Sequence, residues 1–251
     1  KKHDEKQTVE LKMDLLNKKK ALNVYIGFDE SEQVAFHTLS QSIIEHASGP
    51  VRISPICTKH FKHFFDRSRD DKQSNDFSFT RFLVPYLNEY QDFAIFMDCD
   101  MMLRTDIFAV LGEIDQDNAV SVVQHDYTPS DTVKYLNQVQ YAYPRKNWSS
   151  FVVWNCEHKK NRKLTPQFVE NASGLELHRF TWLEDNEIGS LDVRWNWLVG
   201  DYLNPPHDVK NIHWTIGGPY FKEYSSVDFS KEWSEMKEKI NFCKQRNVSE
   251  T

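Results

Sequence analysis

Cysteine is scarce in this chain. Cys57, Cys99, Cys156 and Cys243 are the only four in 251 residues, spaced widely and with no C-x-x-C pair. Three sit in or beside apolar runs, where cysteine behaves as a small buried hydrophobe, so free thiols and a reducing, cytoplasmic setting are expected. Three N-x-S/T sequons, at Asn147, Asn171 and Asn247, keep a lumenal domain of an anchored protein open as the other placement. An excess of basic residues is also missing: the net charge is −6, which gives no electrostatic case for a nucleic-acid partner or an anionic membrane. No apolar run reaches the length of a membrane span, and the first 20 residues are charged throughout, unlike a signal peptide. Glycine is rare, with 8 residues, and there are no internal repeats or low-complexity segments. Aromatics, by contrast, make up 14% of the chain, which is a globular composition long enough to bury a sizeable core.

Residues 1–20 read as a charged linker or N-terminal extension, and 21–251 as one domain. "NVYIG" (Asn23–Gly27) reads as a strand. A helix carrying Val34, Ala35, Leu39, Ile43 and Ile44 follows, then "VRISPIC" as a second strand. Strand, helix and strand with short joints form a βαβ unit, hence a parallel sheet with a right-handed crossover. Thr58–Asp76 is a polar surface loop. "FSFTRFLVPYLNEY" is a helix candidate through Phe79, Phe82, Leu83 and Tyr86, with Pro85 expected to kink it. Phe93–Met97, "NAVSVV", "SFVVWNC" and "DVKNIHWT" read as further strands, and "DIFAVL" as a short helix. A closing helix spans Asp228–Gln245, with Trp233, Met236, Ile240 and Cys243 on one face and a Glu235–Lys239 pair.

The chemistry concentrates in "QDFAIFMDCDMML". An apolar strand ends there in Asp98 and Asp100, with Cys99 between them. The C-terminal edge of a parallel strand is where α/β folds bind ligands. Two carboxylates this close repel, so either one is protonated or a divalent cation lies between them. Short carboxylates favour hard ions such as Mg²⁺ or Mn²⁺, and such an ion keeps open positions for a diphosphate. The alternative is a pair of caps on the following "MMLRTDIF" turn. A second D-x-D, Asp115–Asp117, lies in a polar stretch and reads as a solvated turn.

Six segments in order carry a resemblance: "VYIGFDESE", "FSFTRF", "FMDCDMML", "SSFVVWNC", "LEDNEIGS…RWN" and "IHWTIGGPYF". From Asn23 to Phe221 the chain resembles a GT-A-fold glycosyltransferase of the family 8-like group, that of glycogenin and the lipopolysaccharide galactosyltransferases. The resemblance implies an α/β fold with a mostly parallel, Rossmann-like mixed sheet flanked by helices. It also implies a nucleotide-sugar donor, foremost a UDP-sugar, and a saccharide, lipid-linked saccharide or protein acceptor. Asp98, Asp100 and His213 would bind the metal, with the imidazole favouring Mn²⁺ over Mg²⁺. Gly27, Phe28 and Asp29 would face the nucleotide base, and Arg81 the diphosphate or ribose. Cys99 would join the donor-binding set, and Gly217 and Gly218 would admit a phosphate. Asp185, with Glu184 beside it, would stand near the reacting carbon. Trp148, Trp195 and Trp197 are candidates to stack on sugar faces, and Tyr127–Trp148 is the candidate acceptor wall.

Two departures stand out. The family's Lys before the C-terminal Pro is Gly218 here, which shifts leaving-group stabilisation toward the metal, Arg81 and Lys222. "DNE" replaces D-Q-D, which leaves retention or inversion open. Two rival readings stand beside the transferase: a haloacid-dehalogenase-type phosphohydrolase, and a catalytically silent GT-A domain that binds a glycan.

Overall fold

The computed structural model describes residues 21–69, 73, 75–125 and 145–242. In chain order the elements are β1 (Leu22–Gly27), α1 (Gln33–His46), β2 (Val51–Ile56), α2 (Val84–Leu87), β3 (Phe93–Met97), β4 (Met101–Leu103), β5 (Val120–Val122), β6 (Phe151–Asn155), α3 (Pro166–Asn171), α4 (Gly174–His178), β7 (Ile188–Ser190), β8 (Trp197–Leu198), β9 (Asn211–His213) and α5 (Ser230–Ile240). The main sheet runs β2-β1-β3-β6-β5-β7. β1 pairs in parallel with β2 and β3, and β5 with β7, while β6 runs antiparallel to both β3 and β5.

The sheet's centre is apolar because β1 and β3 are covered on both faces. Leu22, Val24 and Ile26, and Ala94 to Met97, are fully buried. Helix α1 buries Ala35, Thr38, Leu39, Ser42 and Ile43, which recur at i, i+3, i+4, i+7 and i+8. Its Ser42 hydroxyl donates to Leu39 O at 2.7 Å and accepts from Leu103 N at 3.1 Å, tying the helix to β4. Val34 and Ile44 fall off this stripe and are exposed, contrary to the sequence reading.

A second sheet, β4-β9-β8, decides the site. β4 and β9 are antiparallel with Met101 opposite His213, and β8 runs parallel to β9. Helix α5 covers this sheet with Trp233 and Met236, which pack among Met102, Trp197, Ile212 and Trp214. The stretch after Asp100 that the alternative reading took for a capped turn is therefore β4, a strand paired with a partner from near the C-terminus.

Other expectations shift locally. "FSFTRF" forms a 3₁₀ turn, Thr80–Leu83, running into the single turn of α2. Pro85 sits in the first turn of α2, where its missing N–H costs nothing, so it starts this helix instead of kinking it. "DIFAVL" is likewise a 3₁₀ segment, Ile107–Gly112. Helix α5 stops at Ile240, which is 40% exposed, and Cys243 lies outside the described residues. Lys239 reaches Glu45 on α1, and Glu235 pairs instead with Lys231 at 3.9 Å. Asp115–Asp117 is exposed, and the Asp115 carboxylate accepts from Asp117 N at 3.0 Å within its own turn. Residues 1–20 lie outside the described part. No described helix is long and apolar enough to cross a membrane.

Candidate metal and nucleotide-sugar site

Asp98 and Asp100 follow the end of β3, and the β4–β9 register sets His213 beside them. Ligand atoms of the three lie within 4.8 Å of one another, and this is the only such His/Cys/Asp/Glu cluster among the described residues. His213 is 2% exposed. Its Nε2 lies 3.2 Å from Asp100 Oδ1, and its Nδ1 lies 2.8 Å from Asn196 Oδ1.

Asn196 resolves the imidazole's tautomer. Its amide nitrogen donates to Ser150 Oγ at 2.8 Å and to Asn147 O at 3.4 Å, so its oxygen faces His213. Nδ1 therefore carries the proton, and Nε2 offers its lone pair toward Asp100. Two acceptors then face each other at 3.2 Å in a buried site, and Asp100 Oδ1 accepts no aligned hydrogen bond. Only a proton or a cation reconciles them. An outer partner holding a ligating histidine by its other nitrogen is the usual support of a metal site.

Asp98 is buried too. Its Oδ1 lies 2.8 Å from Arg81 Nη1 without an aligned hydrogen bond. Burial pushes its carboxyl up to about 6; Arg81 pulls the other way and Asp100 adds to the rise. Burial pulls His213 down, but the carboxylates of Asp100 and Asp98 outweigh it and hold the group above its ordinary value.

Arg81 itself is 5% exposed. It lies against the rings of both Phe77 and Phe96, donates to Ser149 O at 3.1 Å, and keeps Nε buried and unpartnered. A cavity of about 410 Å³ opens here, lined by Arg81, Asp98, Arg145, Lys146, Asn147, Ser149, Ser150 and His178 among others. His178 Nδ1 is 2.7 Å from Ser149 Oγ. Burial, then the Arg81 cation, holds the ring neutral with a pKa of about 3.

The remaining expected residues divide into groups. Gly27, Phe28 and Asp29 cluster at the mouth of β1. The Phe28 ring packs edge-on to Phe36, and Asp29 accepts from Ser31 N at 2.9 Å and Asp76 N at 3.2 Å as the cap of a 3₁₀ turn. A Cβ on Gly27 would stand 2.3 Å from the Phe77 ring, so close ring packing explains this glycine. Gly217 N–H donates to Trp214 O at 3.2 Å, and Tyr220 fills the space beside Gly218, its hydroxyl donating to Glu32 at 2.6 Å. The Tyr224 ring packs in the same way against Gly217. Lys222 is exposed on the turn that follows.

Cys99 is 2% exposed and faces the core, and burial pushes its thiol well above the ordinary range. Cys57 and Cys156 are also buried free thiols. Trp195 and Trp197 are core residues. Trp195 stacks on Phe151 and donates to Glu113 at 2.8 Å, and Trp197 is 8% exposed, so neither presents a face to a sugar. Trp148 is half-buried, donating to His125 O at 3.2 Å. Asp185 is exposed and paired with Arg145, whereas Glu184 and Glu187 pair with Lys160. Neither Asp185 nor Glu184 lines the cavity, though Arg145 does. Of the expected acceptor wall, 126–144 lies outside the described residues. Asn196, Arg145, Lys146 and His178 had no sequence signal of their own, although Asn196 ends the quoted "RWN".

No family model matches the chain. Among solved structures it is similar to the bifunctional glycosyltransferase WbbM in apo form, with a TM-score of 0.62 and 18% identity over 86% of this chain and 49% of that one. GlyE of Streptococcus pneumoniae TIGR4 gives 0.57 and 15%, over 87% and 60%. The galactosyltransferase LgtC, solved with donor and acceptor sugar analogues, gives 0.56 and 10%, over 89% and 98%. The chain thus spans about half of WbbM and nearly all of LgtC. These are GT-A enzymes, and the fold of this chain is the GT-A fold, consistent with the family 8-like resemblance. By sequence, Protein CDI of Arabidopsis thaliana is 41% identical over 231 residues, 90% of this chain and 89% of that protein. The chain belongs to the family of Protein CDI.

Proposed function

We propose that this chain is a metal-dependent glycosyltransferase of the hexosyltransferase class, with one GT-A domain over 21–251 and an extension over 1–20. It takes a nucleotide-sugar, foremost a UDP-sugar, and passes the sugar to a hydroxyl of a saccharide or glycoconjugate. One observation carries this reading: a buried Asp98–Asp100–His213 cluster, with an unpartnered carboxylate oxygen facing an imidazole lone pair, at the strand ends of a GT-A fold. Two oxygens and one nitrogen suit Mn²⁺, with Mg²⁺ second. When bound, such an ion neutralises a diphosphate leaving group.

The chain's own residues do the rest. Asn196 fixes the His213 ring. Arg81, buried against Asp98, meets the diphosphate or ribose. Phe28 and Asp29 meet the base beside Gly27, Gly217 and Gly218 are assigned to the phosphates, and Lys222 to the leaving group. Asp185, tethered to the cavity rim by Arg145, is the carboxylate assigned to the reacting carbon, and Glu184 supports its turn. Transfer in a cytoplasmic setting accords with the three buried thiols. The GT-A fold speaks against the phosphohydrolase alternative.

The test is a panel of nucleotide-sugars with and without Mn²⁺, followed by melting temperature and by release of the nucleoside diphosphate. A UDP-sugar should raise the melting temperature only with metal, and Asp100→Asn should abolish both readouts. Metal-independent nucleotide binding would refute the reading. Binding without any turnover, across donors and acceptors, would favour the silent domain.

A further inference from the structure

Ser149 and His178 meet at the wall of the cavity beside Asp98, and both belong to its lining. They come from segments 29 residues apart. Ser149 sits in the 3₁₀ turn Trp148–Ser150 that leads into β6. His178 is the last residue of α4, whose start is fixed by a capping box between Ser173 and Glu176 and whose Leu177 is buried. The Phe82 ring meets the imidazole edge-on, with centroids 5.1 Å apart, and sets its plane.

Ser149 Oγ lies 2.7 Å from His178 Nδ1. Which of the two donates follows from the ring's contact with Ser78. A hydrogen bond to the Ser78 backbone carbonyl raises the ring's pKa. A carbonyl only accepts, so the single proton of the neutral ring points to Ser78, and Nδ1 keeps its lone pair toward Ser149. The Ser149 hydroxyl therefore gives its one hydrogen to His178 and retains its own lone pairs. Burial and the Arg81 cation oppose a second proton on the ring, so His178 aims this hydroxyl and does not ionise it.

Ser149 is fixed through its backbone too. It is 4% exposed, and its carbonyl accepts at 3.1 Å from Arg81 Nη1, the same nitrogen that lies 2.8 Å from Asp98 Oδ1. Ser149 is thus held beside a carboxylate of the metal cluster. Its neighbour Ser150 differs, because that hydroxyl already donates to Asn147 O at 2.7 Å and accepts from Asn196 at 2.8 Å. Among the described residues, His178 is the only group bonded to Ser149 Oγ.

We propose that His178 is a positioning residue for sugar transfer: it holds the Ser149 hydroxyl as an acceptor, and Ser149 takes a hydrogen bond from a hydroxyl of the sugar unit in the cavity. This rests on the glycosyltransferase reading above. The cavity reaches Asp98 but not Asp100 or His213, so a sugar attached to a metal-bound diphosphate would enter past Asp98 and Ser149. A hydroxyl oriented beforehand need not be ordered when the substrate arrives.

The experiment measures, by calorimetry in Mn²⁺, the affinities of the whole chain and its variants for UDP, UDP-glucose, UDP-galactose and UDP-N-acetylglucosamine. Ser149→Ala should weaken the tightest-binding UDP-sugar about three- to tenfold, the scale of one hydrogen bond between uncharged groups, and leave UDP within about twofold. His178→Leu should lose most of the same increment. His178→Asn should recover it, because an amide oxygen replaces Nδ1 as the acceptor. The double variant Ser149→Ala/His178→Leu should bind no more weakly than Ser149→Ala alone. If His178→Leu fails to fold, His178→Asn carries the test, and it should bind the UDP-sugar as the wild type does. Wild-type affinity in Ser149→Ala, losses that add in the double variant, no recovery with asparagine, or a parallel fall in UDP affinity each overturns the inference and leaves the transferase reading in place. Failure of every UDP compound to bind overturns both.

Discussion

Asn196→Leu removes a buried amide that touches neither the proposed metal nor the donor, yet it should weaken metal binding. Asn196 is fully buried, and its amide joins three groups: His213 Nδ1, Ser150 Oγ and Asn147 O. Leucine matches its size and supplies no acceptor. His213 would lose the partner that fixes its tautomer and ring, and loss of such an outer partner lowers metal affinity about 10–100-fold. The leftover Nδ1–H would also cost the folded state about 1–3 kcal/mol in either case. The two effects separate in a melting experiment. With free Mn²⁺ at about 100 times the wild-type Kd, binding stabilises by about 2.7 kcal/mol, and a hundredfold weaker site retains about 0.4. At about 2–4 °C per kcal/mol for a chain of this size, the Mn²⁺-induced rise falls from roughly 5–11 °C to about 1 °C. The quantity that matters is the increment, not the starting melting temperature. A variant that melts lower without metal but gains the full wild-type increment on adding Mn²⁺ would refute the role given to Asn196.

Arg81→Met leaves the Asp98 carboxylate buried without its cation, which should cost about 3–5 kcal/mol in urea unfolding. The double variant Arg81→Met/Asp98→Asn should recover most of that loss, and no recovery would contradict the pairing. Burial holds His125 and His178 at about 3, below the ordinary histidine value. Their unfolded forms bind protons that the native forms refuse, so their contribution is full above about pH 6.5 and is lost as pH falls toward 3, by about 2 kcal/mol each at pH 5. Asp98, raised to about 6, offsets part of this. The clean measurement is therefore a difference: His178→Gln should reduce the stability change between pH 7 and 5 by about 2 kcal/mol, and an unchanged slope would contradict a neutral His178. Gly27→Ala forces a Cβ to within 2.3 Å of the Phe77 ring. It should destabilise by about 1–3 kcal/mol, with relief from Phe77→Leu; a neutral Gly27→Ala would show that the ring can yield.

Much of the main sheet was legible because its signals are local. β3 and β6 are unbroken apolar runs of at least four residues, β1 carries Val24–Ile26, and β2 sets Val51 and Ile53 in alternation with Arg52 and Ser54. α1 repeats its buried residues at helical spacing, and the D-x-D at the end of β3 stands out by context from the exposed Asp115–Asp117 copy. Signals that depend on a distant partner misled. "MMLRTDIF" looked like a turn because a three-residue strand shows only once β9 lies beside it. Trp195 and Trp197 looked like sugar platforms because an aromatic's burial is set by what packs against it, here Phe151 and α5's Trp233 cluster. The exposure of Asp185 and its pairing with Arg145 were not legible in its motif, because they depend on where the turn before β7 is held.

The sequence by itself determined the alternation of strands and helices and the placing of two aspartates at a buried strand's edge. Both follow from side-chain periodicity and from the cost of burying charge, which neighbouring residues alone can reveal. Tertiary structure decided the site. His213 reaches Asp100 through one strand register, Met101 against His213, and Asn196 turns the imidazole's lone pair toward the carboxylates. The lining of the cavity beside Asp98 comes from separate segments of the chain. A register and an orientation are relations between distant parts of the chain, set by packing the whole core, so no single stretch of residues encodes them.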